Sequence, residues 1–131
     1  MATLHEQLDA ILTLRANWDG YNADAPIRAV VELARDFATF FEALPRGPGG
    51  DRTVQVYPTR VGGVQFEWED PRFERELELN PDGSISLLHI EKATGAMKEE
   101  RFEPGRGAIS PGLLPRLLPS YAPDEITRKA V

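Results

Sequence analysis

The sequence predicts an α+β fold: two N-terminal helices packed on an antiparallel meander of about five strands, followed by an extended, Pro-rich C-terminal arm. Three observations predict it. Apolar residues recur at three- and four-residue intervals up to about residue 44, then at two-residue intervals from about residue 53 to residue 103. The alternating stretches are separated by short turn motifs, which suit hairpins rather than crossovers. From residue 104 prolines crowd the chain. Five of its eleven prolines fall between residues 104 and 123, a density that prevents both helix and central strand. The division is therefore a domain over residues 1–103 and an arm over residues 104–131.

Thr3 and Glu6 in "TLHE" have capping-box spacing, a side-chain acceptor at the N-cap and a carboxylate three residues on. Leu4, Leu8, Ile11 and Leu12 follow at helical intervals, so a first helix is expected from about Leu4 to Ala16, with Gly20 as its stop. Asp24 and Pro26 restart the chain as N-cap and first-turn proline. Ile27, Val30, Val31, Ala34, Phe37, Phe41 and Leu44 give the second helix one broad apolar face, which "LPRGPGGD" ends. Strands are then expected in "TVQVYP", "GVQFEWE", "FERELEL", "SISLLHIEK" and "MKEERFE". In the second of these Val64, Phe66 and Trp68 alternate with Gln65, Glu67 and Glu69; in the third Phe73, Leu77 and Leu79 alternate with Glu74, Glu76 and Glu78, Arg75 alone breaking the apolar side. "NPDGS" is a hairpin turn, because Pro81 fixes φ and Gly83 accepts a positive one.

A chain of 131 residues, 41% hydrophobic and 27% charged, suffices for one core. The absence of cysteine excludes disulfides, thiolate metal sites and a cysteine nucleophile. The start "MATLHEQLDA" shows neither a basic nor an apolar signal region, and no apolar run approaches the roughly 20 residues of a membrane helix. The expected setting is cytoplasmic, without a membrane partner. The net charge of −6 divides unevenly. Residues 104–131 hold Arg106, Arg116, Arg128 and Lys129 against Asp124 and Glu125, a net of +2, which leaves −8 on residues 1–103. Such a body opposes direct binding to nucleic acid, which needs cations to displace counterions. A basic protein partner fits it better.

Two clusters stand out. In "ANWDGYNADAP" the glycine ends the first helix, Asn17 or Asp19 can bond nearby amides, Trp18 folds back over the helix and Tyr21 closes the corner from the other side. That reading needs no ligand. The alternative makes Trp18, Asp19 and Tyr21 an exposed aromatic and acidic anchor, of the residue types that interface hot spots favour. The second cluster is an acidic stripe. If the central strands pair through the short "DPR" turn, Glu67 and Glu69 share a face with Glu74 and Glu76. Like charges placed opposite each other cost about 0.2–1 kcal/mol per pair, tolerable on a wet face and relieved by a basic partner.

The corner also carries a resemblance. "NWDGYNADAP", followed by a helix, a Pro/Gly break, "GGVQFEWE" and "PDGS", resembles a group of small uncharacterised bacterial proteins. Their shared signature is an Asn-Trp-Asp-Gly-Tyr-Gly-Ala-like run with a later Gly-Gly and tryptophan. The similarity spans residues 10 to about 90, Asn17 to Tyr21 being its specific part. Asn22 stands where the pattern has glycine, and asparagine also tolerates left-handed geometry. The resemblance implies the helix–helix–meander order and a bacterial or phage origin, and it brings no activity with it.

Catalytic patterns are poor. His5 lies in the first turn of a helix and His89 on a strand beside Ile85 and Leu87, where a half-buried structural role is expected. Ser84 and Ser86 lack a nucleophile elbow, and "GPGG" and "GRG" lack the context of a phosphate loop. The arm's Ile109, Leu113, Leu114, Leu117, Leu118 and Tyr121 are too apolar for a free linker, so it is expected to lie on its own sheet or in a partner's groove. The functional expectation is a non-catalytic acidic protein-interaction module, an antitoxin-like, immunity-like or complex-subunit member of a bacterial gene pair. Its partner site would comprise Trp18, Asp19, Tyr21, Glu67, Glu69, Glu74 and Glu76, with no cofactor and no metal; a homodimer is one open arrangement. The alternatives are a carboxylate-based, metal-dependent hydrolase and an acidic mimic of nucleic acid.

Overall fold

A computed structural model describes residues 2–43 and 53–103. The expected arm, the Pro/Gly break from Leu44 and the terminal "PDEITRKAV" lie outside the described residues. Within them the order is α1 (Leu4–Leu12), α2 (Arg28–Ala43), β1 (Gln55–Pro58), β2 (Val64–Glu69), β3 (Phe73–Leu79), β4 (Ile85–Glu91) and β5 (Met97–Phe102). The strands form one antiparallel sheet in the order β1-β2-β3-β4-β5, each beside its neighbour in sequence. This is the two-helix, five-strand meander that the change of period predicts.

The capping box opens α1: Thr3 Oγ1 accepts from the Glu6 N–H at 3.0 Å, and the Glu6 carboxylate accepts from the Thr3 N–H at 2.8 Å. A cap of this kind is worth about 1 kcal/mol. α1 is shorter than its apolar spacing suggests. It stops at Leu12 because the Thr13 hydroxyl turns back onto the Ala10 carbonyl at 2.6 Å and the chain soon reaches Asn17 at φ +66°. α2 also starts later than expected. The Asp24 N–H is taken by the Arg60 carbonyl at 2.8 Å, so Asp24 braces a loop instead of capping a helix. The Ile27 carbonyl accepts the first amides of α2, from Val30 and Val31, and the Ile27 side chain is left exposed rather than on the apolar face.

One core lies between helices and sheet. Leu4, Leu8 and Ile11 of α1 and Val31, Ala34, Phe37 and Phe41 of α2 meet Val56, Val64, Phe66, Trp68, Leu77, Leu79 and Leu87. The Phe41 ring sits 5.3 Å from Phe66 and 5.0 Å from Trp68, so the aromatic residues of β2 do point to the helices. Asp9 and Arg35 at 2.7 Å, and the Leu4 N–H on Glu42 Oε2 at 2.9 Å, tie the helices together.

Candidate functional site

The register places the glutamates. Glu67 lies opposite Glu76, Glu69 opposite Glu74 and Gln65 opposite Glu78. Since Val64, Phe66 and Trp68 face the helices, the period of two puts all five carboxylates on the other side of the sheet. No helix among the described residues covers that side. Gln65 donates to Glu67 at 2.6 Å and to Glu76 at 3.4 Å, bridging two of the like charges, and Lys92 meets Glu69 at 3.2 Å. Partial burial, then the charges of Glu67, Glu74 and Glu78, hold the Glu76 carboxyl above the ordinary glutamate range. A hollow of about 320 Å³ lies between Gln55 of β1 and Glu67, Glu69, Glu74 and Glu76. Four of the seven residues expected to form the site thus converge on one wet, acidic face. Beside them, Leu88 pairs with Glu76 and Ile90 with Glu74, adding an apolar strip from β4 to the same face.

The three corner residues lie elsewhere. The corner bonds to the β1–β2 hairpin through Asp24 on Arg60 and Ile27 on Gly62, at the Val64 end of β2, whereas Glu69 and Glu74 lie at the opposite end. Asp19 is the knot. Its Oδ1 accepts from the Tyr21 and Ala23 amides at 2.8 and 3.1 Å, and its Oδ2 accepts from Arg60 Nε at 2.6 Å. Desolvation pushes the Asp19 carboxyl up, but Arg60 and the two amides outweigh it and hold it below the usual aspartate range. Asn17 accepts from the Asn22 amide at 2.7 Å, and Trp18 Nε1–H donates to the Asp24 carbonyl at 2.9 Å. Asn17, Gly20 and Asn22 all take positive φ, a geometry that glycine adopts freely and asparagine tolerates. Tyr21 departs from expectation. It stands 78% exposed and closes nothing; what is held is its backbone carbonyl, which accepts from Arg60. The corner explains itself structurally, and only the Tyr21 ring is offered outward.

On the helix-facing side a polar chain crosses the sheet. Arg75, 3% exposed, donates through Nη1 to Asp70 and through Nε to His89 Nδ1 at 3.1 Å, and its guanidinium lies 4.7 Å from the Phe73 ring. Because Nδ1 accepts, the proton of neutral His89 is on Nε2, which donates to Glu100 at 3.0 Å. Burial, reinforced by the charge of Arg75 and opposed by Glu100, pushes His89 below its usual pKa. For Asp70, burial is outweighed by the Phe73 and Arg72 amides and by Arg75, and its carboxyl is held low. A hollow of about 460 Å³ lined by Phe73, His89, Glu91, Ala96, Met97, Lys98 and Glu100 adjoins this chain. His89 is the half-buried sheet residue expected, but its network was not foreseen. The one signal for it was Arg75 interrupting the apolar alternation.

No family model, curated protein or solved structure matches the chain significantly. The site must be read from its own chemistry. Among the described residues no three His, Asp or Glu side chains converge to hold a metal ion, the carboxylates being spread at alternate strand positions. No helix among them is long and apolar enough to cross a membrane.

Proposed function

We propose that this chain is a non-catalytic interaction module whose acidic sheet face, which no helix among the described residues covers, docks a basic protein. It would serve as the acidic member of a bacterial gene pair, in the manner of an antitoxin, an immunity protein or a complex subunit. The observation that carries the reading is the register of Glu67, Glu69, Glu74, Glu76 and Glu78 on one face, with Glu67 directly opposite Glu76 and Glu69 opposite Glu74. Opposed carboxylates leave free energy to be recovered when a lysine or arginine settles between them, and the hollow beside Gln55 is of a size to receive such a side chain. The acidic field would also speed encounter, so association should slow steeply with salt. Tyr21, at the far end of β2, belongs to this surface only for a partner long enough to span the sheet.

Charge reversal tests the reading. Glu67→Lys with Glu76→Lys, made in the native host, should abolish co-purification of a basic partner, while Glu32→Lys on the helix layer should leave it intact. Equal recovery from all three chains would refute it. A second reading draws on the row Glu74, Glu76 and Glu78, whose two-residue spacing is roughly 6.8 Å. That row favours a partner whose basic surface ordinarily holds nucleic acid. Competitor DNA should then displace the chain, and no displacement by DNA rules that version out.

A further inference from the structure

The helix-facing side of the sheet carries a second candidate site, on the opposite face from the acidic row and independent of the docking read there. It is the hollow of about 460 Å³ beside His89, a size within the roughly 300–1,000 Å³ usual for small-ligand sites. Register sets its walls. Lys98 pairs with His89, and Glu100 with the core residue Leu87, so His89, Glu91, Lys98 and Glu100 stand on the Leu87 side. Phe73 pairs with Glu91 and forms the β3 wall. The Glu91 N–H on the Ala96 carbonyl at 2.8 Å closes the β4–β5 turn and brings Ala96 and Met97 to the same end.

Depth decides which sign of charge the hollow accepts. The buried cation behind it, Arg75, is answered by Asp70. Of the charges that remain, the carboxylates lie deeper. The Glu100 side chain is 17% and the Glu91 side chain 26% exposed, whereas Arg72 is 74% exposed and Lys98 stands in solvent. A group that displaces water from the hollow therefore strengthens its contacts with carboxylates first, while the two long cations can turn outward on flexible stems. Glu91 is also held in place. Thr94 Oγ1 donates to its Oε1 at 2.9 Å, and Arg72 reaches its Oε2 only at 3.3 Å, long for a charge-assisted bond.

The remaining walls call for an apolar body. Phe73 is half-buried and fixed between the Arg72 and Arg75 guanidinium groups, 5.2 and 4.7 Å from its centroid. Met97 is 65% exposed, and a thioether packs favourably against an aromatic ring. We infer that this hollow binds an organic ammonium ion bearing an aromatic group, its nitrogen on Glu91 and its ring between Phe73 and Met97. The net charge of −8 on residues 1–103 favours the same sign, since it concentrates cations over anions at the surface.

The probe is 2-phenylethylammonium, titrated into the full chain and followed by NMR. Saturable shifts are expected at Phe73, Glu91 and Met97 with a Kd of about 1 mM, in keeping with so small a ligand. Intermolecular NOEs should join the probe ring to the Phe73 ring and the Met97 methyl. The anion 3-phenylpropionate, of similar shape, should bind at least about tenfold more weakly. Glu91→Gln, which can keep the Thr94 bond, should weaken the probe about tenfold. Lys98→Gln alters only an exposed side chain and should tighten binding about threefold. Glu76→Lys, on the other face, should change nothing. Equal binding of phenylpropionate, or saturation without the two NOEs, overturns the inference. So do the same shifts from methylammonium, which would reduce the contact to charge alone, and loss of binding in Glu76→Lys, which would move the probe to the acidic row.

Discussion

Replacing Arg75 by methionine puts the buried polar chain under its most demanding test. Methionine matches the length of the aliphatic stem but removes the guanidinium, which is 3% exposed and serves Asp70 and His89 at once. Removing one member of a buried ion pair typically costs about 3–5 kcal/mol, because the partner's charge stays behind. For Arg75 the cost should fall near the lower end, about 3 kcal/mol. Asp70 keeps the Arg72 and Phe73 amides, both at 2.8 Å, and His89 keeps Glu100. Urea unfolding should show it as a midpoint lowered by about 2 M at an unchanged slope of roughly 1.5 kcal/mol/M. Asp70→Asn in the same background should recover part of the loss, a coupling of about 1–3 kcal/mol. The His89 titration should also move. With the cation gone, its pKa should rise towards the ordinary value, since the remaining charged groups facing it are Glu100, which favours the imidazolium, and Lys98, which opposes it. A loss below about 1 kcal/mol with strict additivity, or a histidine titration indifferent to Arg75, would refute the relay.

Three further outcomes follow from the same structure. His89 has a lowered folded pKa, so the unfolded chain binds more protons below about pH 6.5. Its contribution is complete above that pH and lost as pH falls towards the folded value, and urea midpoints of wild type and His89→Leu should converge on acidification. Glu76 has the opposite sign: its raised folded pKa makes its protonation stabilising as pH falls through that value, and Glu76→Gln should gain about 0.2–1 kcal/mol at pH 7 and lose the pH dependence. At Gly63 a Cβ would strike the Leu79 carbonyl oxygen of the backbone and crowd Thr59 Oγ1 at 2.9 Å, so Gly63→Ala should cost about 1–3 kcal/mol in thermal or urea unfolding.

What was legible in the sequence was whatever depends on period and local turn chemistry. Trp68 and Glu69 had to face opposite ways once the stretch from Val64 was a strand, and "NPDGS" had to turn, with Gly83 at φ +90° and Asp82 Oδ1 holding the Ser84 amide at 2.8 Å. The acidic face follows from that alternation together with a short β2–β3 connection. Helix ends were less legible. Asp24 and Ile27 are set by bonds to Arg60 and Gly62, more than thirty residues away, and no local pattern announces such partners. Arg60 illustrates the same limit. It ties Asp19 and the Tyr21 carbonyl from across the fold, 41 and 39 residues away in sequence. The Arg75–His89 contact depended on strand order as well as face, and only the broken alternation at Arg75 hinted at it.

A sheet in which every strand lies beside its sequence neighbour has a kinetic corollary. Closing the turn at Asn80–Ser84 brings β3 and β4 together at little entropic cost, and each later hairpin adds to an existing template. Assembly can proceed by successive zippering, in any order along the meander. The expensive step is the one that recruits distant chain, the clasp of Asp19 by Arg60 across 41 residues, so the corner should be the last part of the domain to acquire its amide protection and the first to surrender it.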